Sequence, residues 1–152
     1  MKQFLFISGF FLLITSCGSH SDDQTAETTD SLSAQNSWQA SLDDSTGNIQ
    51  MNPTGSLFPD SLSVSSVISM LNKNNPNVQL AVLKMSGDTL YLKIPEATYL
   101  TQQMGSTGPE LYFAEAVYNL TEIQGIHYIN FELAEGDHAG PDIFSRESFK
   151  PE

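Results

Sequence analysis

The sequence predicts an α+β fold in which two helices pack on one face of a small, mostly antiparallel sheet. Three observations predict it: a helical period of apolar residues near Val64, two alternating runs joined by a tight turn at Ser86-Gly87-Asp88, and a second helical run followed by a last strand. The elements therefore follow the order helix, strand, strand, helix, strand. This order favours helices that gather on one side of a sheet.

The first helix is predicted within the stretch DSLSVSSVISMLNKNN. The apolar residues that have the i, i+3, i+4, i+7 spacing of one helix face are Val64, Val67, Ile68 and Leu71. We expect Asp60 or Ser61 to cap the start of this helix. The run Asn74-Asn75-Pro76 is expected to end it, because proline cannot continue a helix.

A hairpin is predicted next, from NVQLAVLKM to TLYLKIPEA. The apolar residues in near alternation along its first strand are Val78, Leu80, Val82 and Met85. In the second strand Leu90, Leu92 and Ile94 share one face. Tyr91 and Lys93 lie on the other face, because successive side chains of a strand alternate. Tyr91 should therefore point away from the helices.

The second helix is predicted to begin after the loop at Gly105. Thr107 and Glu110 have the spacing of a capping box, and Pro109 falls in the first turn, where its missing N–H costs nothing. Gly125 is expected to take the left-handed conformation just past the end of this helix. The last strand is IHYINFEL, and Tyr128 is expected on the face that carries Asn130 and Glu132.

The N-terminus has the pattern of a secretory signal. Lys2 precedes an apolar run that is shorter than the ~20 residues of a membrane span. Ile14-Thr15-Ser16-Cys17 resembles the bacterial lipobox, which implies that Cys17 is lipidated and becomes the mature N-terminus. Cys17 is also the only cysteine. Its lipidation would leave no thiol for catalysis, a disulfide or a metal site.

Composition divides the chain into five predicted segments. They are a lipoprotein signal peptide (1–16), the lipidated cysteine with a flexible tether rich in Ser, Thr and Asp (17–50), a loop lead-in (51–59), the folded domain (60–135) and an irregular C-terminal tail (136–152). Trp38 is interpreted as an exposed aromatic of the tether, with an early strand or a docking residue as the alternatives. Ile143, Phe144 and Phe149 are expected to pin parts of the tail.

The charge balance restricts the partners. Eighteen acidic residues oppose six basic ones, so the net charge is −12. Nucleic acid would be repelled, because phosphate binding depends on clustered Lys and Arg. The N-terminal signal and Cys17, in contrast, predict a location in the cell envelope, on its periplasmic face or outer surface. There the lipid on Cys17 would provide the membrane attachment.

The second helix and its surroundings resemble a known family, the GerM-type domain, named for a spore-germination lipoprotein. The stretch Val117–Glu122, the link Gly125-Ile126 and the strand Asp88–Ile94 match its pattern. The resemblance covers residues 60–133. It implies a GerM-like fold on a bacterial envelope lipoprotein, and a non-catalytic module that acts by binding or assembly.

Two sets of residues are candidates for binding. Tyr91 and Tyr128 are expected on the sheet face away from the helices, where a sheet that is covered on one side leaves a surface open. Asp137, His138 and Asp142 form a weak candidate for a metal site. A solvated acidic loop is the favoured interpretation there, because a single histidine and no EF-hand pattern give a poor ligand set.

These observations predict a lipid-anchored envelope protein that is not an enzyme and needs no cofactor. Its small domain is expected to bind an envelope protein or a second copy of itself. Two alternatives stay open. One is an enzyme or accessory protein that acts on cell-wall polysaccharide, and the other is a lipoprotein that captures a metal or solute.

Overall fold

The computed structural model describes residues 36–55 and 62–151. The predicted signal peptide, Cys17, the first part of the tether and the two expected capping residues Asp60 and Ser61 lie outside these ranges. The elements in chain order are β1 (Trp38–Leu42), β2 (Ile49–Pro53), α1 (Val64–Asn74), β3 (Ala81–Ser86), β4 (Thr89–Lys93), a π-helical turn (Tyr99–Gln103), α2 (Gly108–Leu120), β5 (Tyr128–Glu132), β6 (Asp142–Phe144) and a 3-10 turn (Arg146–Phe149).

The main sheet has four strands in the order β3-β4-β5-β6. The β3–β4 and β5–β6 pairs are antiparallel, and β4 and β5 are parallel. A parallel pair needs a crossover connection, and α2 lies in that connection. The predicted α+β class and its helix, strand, strand, helix, strand order are confirmed. The structure adds β1 and β2 before this series and β6 after it.

The hydrophobic core lies between the sheet and the two helices. It contains Leu90 and Leu92 of β4 together with Ile129 and Phe131 of β5, all at most 1% exposed. The helix residues that close this core are Val67, Ile68, Met70 and Leu71 of α1 and Tyr112, Phe113, Ala116, Val117 and Leu120 of α2. The buried residues of α2 extend around most of the helix, which is typical of an element covered on more than one side.

Residues 38–53 form a hairpin, not a flexible segment. β1 and β2 pair antiparallel as a separate two-stranded sheet, and both contact α2. The prediction of a tether up to residue 50 and a loop lead-in from residue 51 is therefore wrong for this stretch. Trp38 is also not a free linker aromatic, because its ring lies 5.4 Å from the Tyr118 ring in an edge-on arrangement.

The C-terminal tail contains regular structure that composition did not indicate. β6 extends the main sheet, and Phe144 and Phe149 pack against the core. Phe144 stacks on Phe113 of α2 at 5.2 Å. The predicted pinning by these two phenylalanines is confirmed, but Ile143 is 51% exposed and points away from the core. The fold therefore continues past residue 135, where the predicted domain ended.

Local details of the helix ends also differ from the predictions. Ser63 caps α1, since its side chain accepts a hydrogen bond from the backbone N–H of Ser66. Thr107 precedes α2 without a side-chain cap, so the capping box with Glu110 does not form. Gly125 has the expected positive φ of 87°, but it lies in a turn beyond the C-cap residue Thr121.

Candidate binding surface

The two tyrosines predicted to share a face are on neighbouring strands of one open sheet face. The parallel register pairs Thr89 with Tyr128 and Tyr91 with Asn130. Residues that pair in a sheet point to the same side. The intervening Leu90 and Ile129 are buried in the core, so Tyr91 and Tyr128 lie on the opposite side. We call this side the outer sheet face.

The outer sheet face has aromatic and apolar groups in contact with water. Tyr128 is 45% exposed and Tyr91 is partly exposed. Ile143 of β6, which pairs with Asn130, adds another exposed apolar side chain to the same face. The Nζ atom of Lys84 lies 4.6 Å from the centroid of the Tyr91 ring. A cation over a tyrosine face is attracted by the ring quadrupole, which holds the aromatic face and the charge together.

A cavity opens at one end of this face. It has a volume of about 450 Å³ and shares Tyr128 with the outer sheet face. The residues that line it are Asp88, Thr121, His127, Tyr128, Ser145, Arg146 and Glu147. The carbonyl oxygen of Asp88 accepts hydrogen bonds from the backbone N–H groups of His127 and Tyr128 at 2.9 and 3.2 Å. These bonds fix the start of β5 against the β3–β4 turn, so the cavity has a defined edge.

Arg146 lies at the wall of this cavity and joins three parts of the chain. Its Nε donates to Thr121 Oγ1 and one Nη donates to the carbonyl of Tyr118, both at 2.8 Å. The same Nη group pairs with the carboxylate of Glu122. The guanidinium also lies 5.5 Å from the Trp38 ring and 5.0 Å from the Tyr118 ring. The only arginine and the only tryptophan of the chain therefore meet in one cluster.

Glu122 is the acidic member of this cluster. Its Oε1 accepts a hydrogen bond from Trp38 Nε1 at 2.7 Å in addition to the contact with Arg146. Partial burial tends to raise the pKa of Glu122, but the hydrogen bonds from Arg146 and Trp38 and the charge of Arg146 outweigh it. The net result is a pKa below the ordinary value of 4.5. Glu122 therefore stays ionised over a wider pH range than a free glutamate.

Asn119 holds the hairpin to α2 from a fully buried position. Its Oδ1 accepts from the backbone N–H groups of Ser37 and Trp38 at 2.8 and 3.2 Å. Its Nδ2 donates to the carbonyls of Trp38 and Glu115 at 2.8 Å. The side chain amide thus pairs with the backbone of β1 much as a neighbouring strand would. All of its hydrogen-bonding groups are used, which makes its burial tolerable.

Glu115 forms the third polar attachment of the hairpin. Its carboxylate accepts from Asn36 Nδ2 at 2.6 Å and from the backbone N–H of Ala40 at 3.4 Å. Burial raises the pKa of Glu115, and these hydrogen bonds offset part of that rise. Sequence reasoning missed this set of residues. The available signal was the i, i+4, i+7 spacing of Glu115 and Asn119 in α2 and Glu122 just past its end.

Asp137, His138 and Asp142 do not converge. All three are exposed, and within residues 36–55 and 62–151 no three side chains of His, Cys, Asp or Glu could hold a metal ion together. The backbone N–H of His138 donates to the carbonyl of Thr101 at 3.0 Å. Asp142 Oδ1 accepts from the backbone N–H of Ile143 at 2.7 Å. The segment is therefore positioned by its backbone and by a local turn.

In the part of the chain that the structure describes, no helix has both the length and the apolar character needed to cross a bilayer. Cys17 is outside that part, so its lipidation stays a prediction.

Comparison with solved structures finds a likeness to the tandem GerMN domains of the sporulation protein GerM from Bacillus subtilis. The TM-score is 0.42 and the sequence identity is 13%. The match covers 73% of this chain and 46% of the solved chain, so this chain corresponds to less than half of that length. No protein-family model and no curated protein sequence matches the chain.

Proposed function

We propose that this chain is a lipid-anchored protein of the cell envelope whose GerM-like domain is a non-catalytic module for protein binding or assembly. The observation that supports this proposal is the outer sheet face, where Tyr128 and Ile143 are exposed and Tyr91 is partly exposed on strands whose other side forms the core. Aromatic side chains give large contact area at low entropic cost and are enriched in protein interfaces. The partner is an envelope protein or a second copy of the chain.

The lipid anchor is tested by replacing its attachment residue. The Cys17→Ala variant is expected to move from the membrane fraction to the soluble fraction, because the lipid provides the attachment. The other lipobox residues, Ile14, Thr15 and Ser16, are unchanged in this variant, so only the thiol that would carry the lipid is removed. Unchanged sedimentation of the variant with membranes would rule out the lipoprotein part of the proposal.

The binding face is tested by a photo-crosslinking side chain placed at Tyr128 in the native envelope. A matched control carries the same group at Leu42 of β1, an exposed apolar residue at 39%. We expect a defined covalent adduct from position 128 and none from position 42. An adduct of twice the chain mass would identify self-association as the form of assembly. Equal, diffuse labelling from both positions would contradict a specific face.

An alternative is favoured by one observation, the polar cavity next to Tyr128. Its carboxylates Asp88 and Glu147 are the residue types used in glycoside hydrolysis, so an enzyme or accessory protein for cell-wall polysaccharide is the second candidate. Purified chain incubated with cell-wall polysaccharide would then release new reducing ends. Asp88→Asn and Glu147→Gln would each abolish that release, whereas the binding module proposed above requires no such activity.

A further inference from the structure

The helices cover the core side of β4 and β5 but leave the core side of β3 exposed. The register pairs Val82 with Leu92 and Met85 with Leu90, so all four side chains point toward the core side. Leu90 and Leu92 are buried, but Val82 is 48% and Met85 is 49% exposed. Every residue of β3 is exposed, and in the described part of the chain no strand pairs with its free edge.

β3 also places a positive charge, that of Lys84, on the outer sheet face. Lys84 pairs with Tyr91, and Lys93 pairs with the first residue of β3. Lys73 lies at the end of α1 next to Asn72, whose side chain forms hydrogen bonds of 3.0 and 2.7 Å with the backbone of Leu80. Apart from Lys150, the lysines of the described residues are therefore Lys84 on β3, Lys93 on the neighbouring β4 and Lys73 at the end of α1, in a chain with a net charge of −12.

These three lysines differ from the other cations of the described chain. The ion pairs there are Arg146–Glu122 and Lys150–Glu147, so no described carboxylate lies within ion-pair distance of the lysines around β3. Glu132 pairs with Lys93 in the sheet register without reaching that distance. The free edge of β3 thus combines backbone groups that no described strand pairs with, exposed apolar side chains on one side and, on the other, Lys84, which lies over the Tyr91 ring and has no carboxylate partner.

We propose that the free edge of β3 accepts an extended partner segment in which apolar and acidic residues alternate, as a fifth strand of the main sheet. This inference rests on the proposed protein-binding function and names its partner class. Backbone hydrogen bonds hold the incoming strand, as in other cases of strand addition. Its apolar side chains cover Val82 and Met85, and its carboxylates lie on the outer sheet face beside Lys84.

Charge favours such a segment over a second copy of the chain. The net charge of −12 opposes an acidic segment as well as a second copy, so the preference comes from the local charge of Lys84 on β3 itself. Pairing β3 with β3 would also bring two sets of lysines together, which costs free energy. The β-bulge between Val82 and Lys84 lies in the pairing with β4 and leaves these two residues on opposite sides of the sheet.

The test uses the full lipidated chain in detergent and blocked synthetic peptides of about eight residues, long enough to span a six-residue strand. One peptide alternates valine and glutamate, and its control alternates valine and lysine. We expect only the glutamate peptide to bind, with slower hydrogen exchange of the amides of residues 81–86. Raising the salt concentration should weaken the binding, because the lysines are exposed to solvent.

Variants separate the two sides of the strand. Val82→Ser should weaken binding of the glutamate peptide about tenfold through lost apolar contact. Lys84→Glu should weaken it about fivefold, and Lys150→Glu, which makes the same charge change in the tail, should leave it unchanged. Val82, Lys84 and Lys150 are all exposed, so these variants keep the fold, which circular dichroism checks.

The outcomes distinguish this inference from the function on which it rests. Equal binding of both peptides, or binding that Val82→Ser and Lys84→Glu leave unchanged, overturns the inference. Dimer formation that Val82→Ser abolishes would overturn it in favour of a second copy at this edge. If crosslinks from Tyr128 persist while the edge variants have no effect, the binding module stands and only the partner class is wrong. If neither experiment gives a specific product, both proposals fail.

Discussion

The two sides of α2 are held to the rest of the domain by different forces. Toward the main sheet, α2 presents Phe113, Val117 and Leu120, which are buried in the hydrophobic core. Toward the β1–β2 hairpin it presents Glu115 and Asn119, which form hydrogen bonds with residues 36–40. At 100° per residue these two groups lie on opposite faces of the helix.

Because the two sides are held by different forces, the hairpin and the core need not unfold in a single step. No described residue of the hairpin belongs to the hydrophobic cluster that joins the sheet and helices. Apolar burial grows with the area removed from water, whereas each hydrogen bond adds a net ~0.5–1.5 kcal/mol and fails once its geometry is lost. We therefore expect the hairpin to detach at a lower free energy than the one that unfolds the core, as in other proteins that open in parts.

The largest effect is expected from Phe131→Ala on the sheet side. The Phe131 ring lies 4.8 Å from the Phe113 ring and is fully buried. Its removal should lower the free energy of unfolding by about 3–5 kcal/mol, because a cavity remains. Urea denaturation followed by circular dichroism measures the loss. Tyr128→Ala, on the open face of the same strand, should have a much smaller effect. Equal losses in the free energy of unfolding for the two variants would contradict a larger contribution from the core side of the sheet.

A smaller effect is expected from Asn119→Ala on the hairpin side. The variant leaves the backbone N–H groups of Ser37 and Trp38 without their acceptor, which costs about 1–3 kcal/mol. The fluorescence of the single tryptophan should then change at lower urea than the circular dichroism of the core. Asn130→Ala, on the outer sheet face, is the matched control and should leave the two transitions together. Coincident transitions in the Asn119 variant would show that hairpin and core unfold as one unit.

The ion pair between Glu122 and Arg146, which contacts Trp38 at the start of β1, should make the attachment of the hairpin to α2 depend on pH. The pKa of Glu122 is lowered in the folded state, so its contribution is present above the ordinary value of 4.5 and is lost as the pH falls through the folded value. We expect Trp38 fluorescence to change over this acidic range, with an effect of at most ~1 kcal/mol.

The control for this prediction is Glu122→Gln, which removes the titrating group and keeps the shape. Its Trp38 signal should be flat over the same range. Glu115 acts in the opposite direction, because its pKa is raised and protonation relieves an unfavourable buried charge as the pH falls. A Trp38 signal that changes equally in both proteins would assign the transition to another group.

The smallest effect is expected from Lys150→Ala in the tail. Lys150 and Glu147 form an ion pair at 2.6 Å, but their side chains are 57% and 75% exposed. Solvent and salt screen such a pair, so the free energy of unfolding should change by less than ~0.5 kcal/mol. Thermal melting in low and high salt measures it. A larger loss would imply that the tail supports the cluster at Arg146, which lies in the same short turn.

Local sequence signals were enough for the elements that build the core. The spacing of Val64 and Leu71 identified α1, and the alternation around Leu90 and Ile129 identified β4 and β5 with the correct faces. Tyr91 and Tyr128 were placed on one surface by the same alternation. These signals work because a helix or strand that covers a core must show its period in its own residues.

The remaining parts depend on contacts between distant residues. β1 and β2 are short and largely polar. The alternation of Trp38, Ala40 and Leu42 and of Ile49 and Met51 around a turn was a weak local signal, and the contacts that hold the start of β1 in place come from Asn119 on α2. β6 has three residues and is specified by β5. The cavity next to Tyr128 combines the β3–β4 turn with Arg146 from the tail, and no local period indicates such a meeting.

The position of Asn36 has a mechanical consequence. Its side chain contacts Glu115 at 2.6 Å and Asn74 at 3.1 Å, and its carbonyl accepts from the hydroxyl of Thr54. One residue therefore links α1, α2 and the chain just after β2. A force applied to the N-terminal end of β1 would be shared among these three contacts, and would not act on the pairing of β1 with β2 alone.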